Sequence, residues 1–215
     1  MKHYSLYEIK KMERHYRGHL INSITGFKSA NLLATRSEDG VDNVAIFSSV
    51  THLGSDPALF GYIQRPLGHG AGHTYENLKA TNSITLNHIN MDLVDAAHQS
   101  SAKYDPKLSE FDLLGIERFK RDGFKAPFVK YAHVQVAATY ENEYYLKEND
   151  CRLVICRITD IFLAPEIQTD DGWVNLDKAG TVTINGLDAY ATATVEKRLS
   201  YAKVDQKLEE IEIKK

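Results

Sequence analysis

Two runs toward the C-terminal end limit the folds open to this chain. VKYAHVQVAATYENEYYL (residues 129–146) and CRLVICRITDIFLAPEI (151–167) are alternately or continuously apolar and rich in β-branched and aromatic residues. Such side chains suit a pleated, half-buried surface better than a helix, so both runs read as long strands. Upstream, ANLLATRSEDGVDNVAIFSSVTHL (30–53) reads as two strands around a turn, with Asp39-Gly40 as the hairpin signal. DPALFGYIQ (56–64) is a third strand, entered at Pro57, where a missing N–H does little harm, and SITLNHI (83–89) is another. Helical stretches are fewer. The capping-box pattern SLYE (5–8) opens a helix expected through about residue 20. HTYENLKAT (73–81) reads as a short helix capped by Thr74, and MDLVDAAHQSSA (91–102) as another. The segment 103–127 reads as mixed loop and short helix, long for a connection. Six or so strands, mostly joined by short turns and not alternating with helices, favour an antiparallel barrel or sandwich.

With 215 residues the chain suits one large domain, or one domain with appendages: an N-terminal helix (1–20), a main β domain (21–185) and a C-terminal extension (186–215). The tail VEKRLSYAKVDQKLEEIEIKK is strongly charged, as a solvated appendage or an arm on a partner subunit would be. A net charge of −3 supplies no basic field to recruit nucleic acid or an anionic membrane. No run approaches the roughly 20 apolar residues of a membrane span. The start, MKHYSLYEIKKMERHYRGH, lacks the apolar centre of a signal peptide, so a cytoplasmic protein is expected. Cys151 and Cys156 are five apart in a strand, hence on opposite faces, and read as reduced packing residues.

Ser48, Ser49 and Thr51 set three hydroxyls beside a turn that leads into a buried strand. Their partners are either the turn's own backbone or a polar ligand. Arg65 ends the FGYIQ strand, just before the glycine-rich GHGAGH (68–73) and the helix start at Thr74. A guanidinium, a flexible loop and free helix N–H groups together suit a phosphate, although no lysine follows the glycines as in a P-loop. His69 and His73 are separated by glycines, and no spacing of histidines and acids converges on a metal. His98 in AAHQSSA could face a pocket together with Ser100 and Ser101. There is no GxSxG elbow and no dinucleotide fingerprint.

Taken in order, ANLLATRSEDGVDNVAIFSSVTHLGSDPALFGYIQRP, HTYENLKATNSITLNHI, AAHQSSAKYDPKLSEFDLLGI and KAPFVKYAHVQVAATYE resemble the flavin reductase-like family, in its flavoredoxin-type branch of FMN-binding split barrels. The resemblance covers roughly residues 20–165. It implies a mostly β fold with added helices, a six-stranded antiparallel split barrel that binds FMN and forms a homodimer. It further implies that Phe47, Ser48, Ser49, Val50 and Thr51 lie against the isoalloxazine and ribityl chain. By the same resemblance Arg65, His73, Thr74 and Asn77 lie near the phosphate. Asn87, His88, His98, Ser100, Ser101 and Ala102 line the same cleft. Hydride would pass through flavin N5 from NAD(P)H, with no obligatory catalytic acid or base. Backbone N–H groups around Ser49–Thr51 would steady the pyrimidine edge. Tyr190 and Tyr201 of the extension would touch flavin or partner. Two further readings share this sequence pattern: a flavin carrier or sensor without turnover, and a dimeric barrel with no ligand.

Overall fold

The computed structural model describes residues 1–68 and 72–213; residues 69–71 of the glycine-rich loop, His69 among them, lie outside the described residues. The chain opens with helices α1 (Leu6–Lys11) and α2 (Arg14–Ile24), then strands β1 (Phe27–Ser29), β2 (Asn31–Arg36), β3 (Asp42–Phe47), β4 (Thr51–Ser55) and β5 (Ala58–Gln64). Helix α3 (His73–Thr81), strand β6 (Ile84–His88), helix α4 (Val94–Gln99) and helix α5 (Glu110–Leu113) follow. Strands β7 (Arg118–Phe119), β8 (Phe128–Val129), β9 (Val134–Leu146), β10 (Cys151–Leu163), β11 (Val182–Asn185), β12 (Ala189–Thr192), β13 (Arg198–Leu199) and β14 (Glu210–Ile211) complete the order.

The expected capping box is present: Ser5 and Glu8 satisfy each other's backbone N–H groups. The single helix expected through about residue 20 is instead two. Met12 and Glu13 are extended, and the Glu13 carboxylate accepts from the N–H groups of His15 and Tyr16, which starts α2 afresh. The Asp39-Gly40 hairpin joins β2 to β3 in the register Leu33↔Ala45. Thr51–Leu53, expected to end that hairpin's second strand, belongs instead to the separate strand β4, paired with β5.

That separation defines the barrel. The main sheet is antiparallel with the order β3-β2-β6-β9-β10-β5-β4, so it holds seven strands where six were expected. β3 and β4 are consecutive in sequence yet occupy opposite edges. Only residues 48–50 join them, so the edges lie within about 14 Å of each other at that point. The sheet therefore curls into a barrel that is split between β3 and β4. Inside it pack Leu33, Phe60, Tyr62, Ile84, Leu86 and Val154, with Leu78 of α3 reaching in from one end. Leu32, Ala34 and Val44 point to the other face, where they meet residues of α4, α5 and β11. A strand covered on both faces, such as β2, has little room for polar residues, and those it carries need partners. Cys156 packs inside the barrel, and both cysteines are buried and reduced.

A second sheet, β1-β11-β12, includes a hairpin that spans residues 182–192 and so carries the chain from the barrel into the C-terminal extension. Beyond it most residues are exposed. The extension is held at Arg198, which pairs with Asp171 at 2.7 Å and lies 4.1 Å over the Trp173 ring. Hydrogen bonds from Thr169 and Arg198 hold the Asp171 carboxyl down at about 2. Arg198→Ala is expected to release residues 193–213 while leaving the barrel intact. Limited proteolysis should then cut the extension several-fold faster at an unchanged thermal midpoint, and equal cutting rates would refute the anchor.

Candidate functional site

The chain leaves β3 at Phe47 and crosses the split through Ser48, Ser49 and Val50. Phe47 and Val50 are partly buried against the barrel core, and the Phe47 ring meets Tyr62 edge-on at 5.1 Å. The Ser49 hydroxyl accepts from the Ile63 N–H at 3.1 Å, fastening the crossing to β5. The Val50 carbonyl accepts from the Ser29 hydroxyl at 3.3 Å. Of the three hydroxyls singled out in the sequence, Ser49 is thus spent on backbone. Ser48 is half-buried and Thr51 exposed, and neither side chain is hydrogen-bonded among the described residues.

Asn31 lies between Phe47 and His88 in the ladder, so the three side chains share one face. Asn31 is 1% exposed, and neither its Nδ2 nor its Oδ1 has a partner. An unpaired buried polar group costs about 1–3 kcal/mol, so this position favours a water or the polar edge of a ligand. His88 sits beside it, with Nδ1 3.4 Å from the Thr181 hydroxyl. Burial pushes the His88 imidazole down to about 4, so the ring is neutral at pH 7. Asn87, next along β6, faces the other side. Its amide donates to the Leu32 carbonyl and accepts from the Val129 N–H, which leaves nothing for a cleft.

Helix α3 follows Gly72, whose φ of +117° favours glycine, and no side chain among the described residues caps it. Its first-turn N–H groups and dipole make an anion site. Thr74 is not the cap but lies one residue inside the helix, buried, donating to Asn43 Oδ1 at 3.0 Å. Asn77 donates to the Thr35 hydroxyl at 3.2 Å. His73, the first helical residue, is half-buried. Arg65, directly after β5, is exposed and has no ion pair among the described residues.

Two residues that the sequence reading passed over hold these parts together. Asn43 on β3 accepts from Thr74 and, at 3.3 Å, from Thr35, and donates to Glu110 Oε2 at 3.0 Å. Glu110 is 3% exposed and also accepts from the Val44 N–H at 3.2 Å. Burial raises its carboxyl above its ordinary value, against the opposing effect of its own N–H, the Val44 N–H, Asn43 and the charge of His73. The one sequence signal for Asn43 is a polar residue inside DNVAIF; Glu110 carries none.

The α4 residues divide. Ser100 is buried, accepting from the Ile46 N–H at 2.9 Å and donating to the Ala97 carbonyl at 2.6 Å, so it clips α4 to β3. His98 is exposed and paired with the Tyr190 hydroxyl at 2.9 Å, which brings the C-terminal hairpin against α4. Ser101 and Ala102 are exposed. The structure therefore sets the 47–51 crossing beside Asn31 and His88, and ties the start of α3 through Asn43 to the other end of the β2–β3 ladder. It turns Asn87 and Ser100 away. Two open depressions, of about 550 and 330 Å³, lie elsewhere, around Asp112 and Arg118, and none of the candidate site residues lines them.

The sequence matches the flavin reductase like domain family over residues 26–178. No curated protein matches. The chain is similar to the crystal structure of a protein from Shewanella frigidimarina NCIMB 400, provisionally described as a flavin reductase with a split barrel domain. The two are 39% identical with a TM-score of 0.90, over 94% of this chain and 100% of that one. Nitrilotriacetate monooxygenase component B from Bacillus cereus shares the fold at 16% identity and a TM-score of 0.79, over 91% of this chain and 97% of its own. So does an FMN-binding protein from Thermus thermophilus, at 14% identity and a TM-score of 0.66, over 84% of this chain and 93% of its own.

The His88 environment sets a pH dependence. An unfolded histidine binds its proton near 6.5, whereas the folded one binds it only at about 4. The contribution of His88 to stability is thus complete above 6.5 and is lost as pH falls toward 4. The folding equilibrium should weaken by up to about tenfold per pH unit across that window. Denaturant titrations of the wild type and His88→Gln should differ in this slope; identical slopes would show that His88 is protonated in the folded state.

Proposed function

The chain belongs to the flavin reductase-like family, and from that premise we propose that it binds FMN across the split of the barrel and serves as an NAD(P)H-dependent flavin oxidoreductase. When bound, the flavin supplies the hydride-accepting centre at N5. The residues of this chain fit such a group. Among the described residues the start of α3 offers uncapped N–H groups and Arg65 an unpaired guanidinium, which together suit a phosphate. The crossing at Ser48–Thr51 offers one half-buried hydroxyl and, at Phe47 and Val50, apolar surface for a ring. The unpartnered amide of Asn31 is a donor and an acceptor side by side, the complement of an imide edge. The neutral His88 beside it adds no positive charge.

The observation that carries this reading is the family match across the barrel, over residues 26–178, on a fold that among its described residues leaves an uncapped helix start and an unpaired arginine. What the chain contributes is position. It holds the phosphate at one end, presents apolar surface to the ring, and keeps one face open for a nicotinamide donor.

The same reading makes the protein a cytosolic homodimer. Leu6, Tyr7, Ile24 and Phe27 on and beside the N-terminal helices are 68, 66, 69 and 66% exposed, and neither helix buries a side chain of its own. Helices of this length need a covering surface to persist. No helix among the described residues is long and apolar enough to cross a membrane.

The test is anaerobic absorption spectroscopy of the protein with FMN, before and after NADH or NADPH. Bound FMN whose visible bands bleach with the nicotinamide is expected. Absence of binding overturns the reading, and binding without bleaching leaves a carrier. Arg65→Ala should weaken FMN affinity by about tenfold, the worth of one charge-assisted phosphate contact. Ser37→Ala, in the β2–β3 turn, should leave it unchanged. Equal affinities for the two variants would remove Arg65 from the phosphate site.

A further inference from the structure

We infer that Glu110, acting through Asn43, is a positioning residue that sets the start of α3 for phosphate and thereby makes the site prefer FMN over unphosphorylated riboflavin. The inference rests on the phosphate site proposed above.

Asn43 is 6% exposed and bonded at both ends of its amide: Nδ2 donates to Glu110 Oε2 at 3.0 Å, while Oδ1 accepts from Thr74 at 3.0 Å and from Thr35 at 3.3 Å. A side-chain amide can sit in two orientations, and here only one is satisfied. If the amide flipped, its oxygen would face the carboxylate of Glu110, two acceptors in contact inside the protein. The carboxylate thus fixes the amide, and the amide oxygen in turn fixes the Thr74 hydroxyl. Thr74 is the second residue of α3, so the first turn cannot roll or slide along β3 without breaking this bond. Asn77, one turn on, is tied through Thr35 to the same amide.

Glu110 is costly where it is. It is 3% exposed and held in no ion pair among the described residues; His73, the first residue of α3, acts on it only through space. Its satisfied contacts are the amide of Asn43 and two backbone N–H groups, its own and that of Val44. A leucine would pack that position without burying a carboxylate. The feature the carboxylate adds is directional: it specifies which way Asn43 points. Fixed donors cost no reorganisation when an anion arrives, and so bind it more tightly than mobile ones.

The test compares FMN with riboflavin, which share a ring and differ in the phosphate. Affinities would be measured by flavin fluorescence quenching for the wild type, Glu110→Ala, Glu110→Gln, Asn43→Ala and Thr74→Val, with thermal midpoints recorded alongside. Glu110→Ala and Asn43→Ala should lose FMN affinity by about tenfold or more and keep riboflavin affinity within about twofold. Glu110→Gln, whose amide oxygen can accept from both Asn43 and Val44, should restore FMN binding to within about threefold. Thr74→Val removes one hydroxyl at constant shape and covers the case in which Glu110→Ala fails to fold; it too should lower the FMN preference. A folded variant set with the wild-type ratio of FMN to riboflavin affinity would overturn the inference, leaving Glu110 a structural clip. A wild type that binds both flavins equally would also overturn it. A wild type that binds neither would fail earlier, at the proposed function itself.

Discussion

The crossing of the split by three residues is the constraint on which the rest of this structure depends. β3 and β4 belong to opposite edges of one sheet, yet Ser48, Ser49 and Val50 must reach from one to the other. A sheet tied edge to edge by so short a link has to curl. Curling encloses the core around Leu33, Tyr62 and Ile84 and leaves an opening where pairing between β3 and β4 is missing. The Ser49 bond to Ile63 and the Ser29 bond to Val50 hold the link in place, so the hydroxyls there serve the fold first.

Helix α3 is set against the barrel from one end. Its apolar anchor is Leu78, in the core. Its polar anchors lie on two sides. Thr74 and Asn77 reach Asn43 and Thr35 on β3 and β2. Tyr75 donates to Glu143 on β9 at 2.9 Å, and Lys79 lies 3.6 Å from the same carboxylate. A nine-residue helix would not persist alone in water. Held from both sides, its uncapped end becomes a fixed feature of the surface. The chain invests buried polar groups where an apolar core would serve stability equally well, and these groups cluster near the first turn of α3.

What could be read from the sequence was what is decided locally. Asp39-Gly40 makes a hairpin because its turn geometry is set within four residues, and Ser5 and Glu8 form a capping box for the same reason. The long strands β9 and β10 follow from their β-branched and aromatic content. What was missed depends on partners distant in sequence. Thr74 reads as an N-cap until Asn43, 31 residues earlier, claims its hydroxyl. Thr51–Leu53 reads as a continuation of β3 until β5 pairs with its strand across the barrel. Glu110 looks like one acid among many in a long connection, and its partner Asn43 is 67 residues away. Among the candidate site residues, the crossing segment and the α3 start were legible as chemistry. That Asn87 and Ser100 are spent on backbone, and that Asn31 is buried with no partner among the described residues, follow only from the packing of segments distant in sequence.

The most direct test of this account is a crystal structure of the protein grown with FMN. The account predicts the phosphate within hydrogen-bond reach of the first-turn N–H groups of α3 and of the Arg65 guanidinium, with the ring against residues 47–51. A flavin bound elsewhere, for example in the depression of about 550 Å³ beside Arg118, or one whose phosphate points away from α3 into solvent, would contradict it.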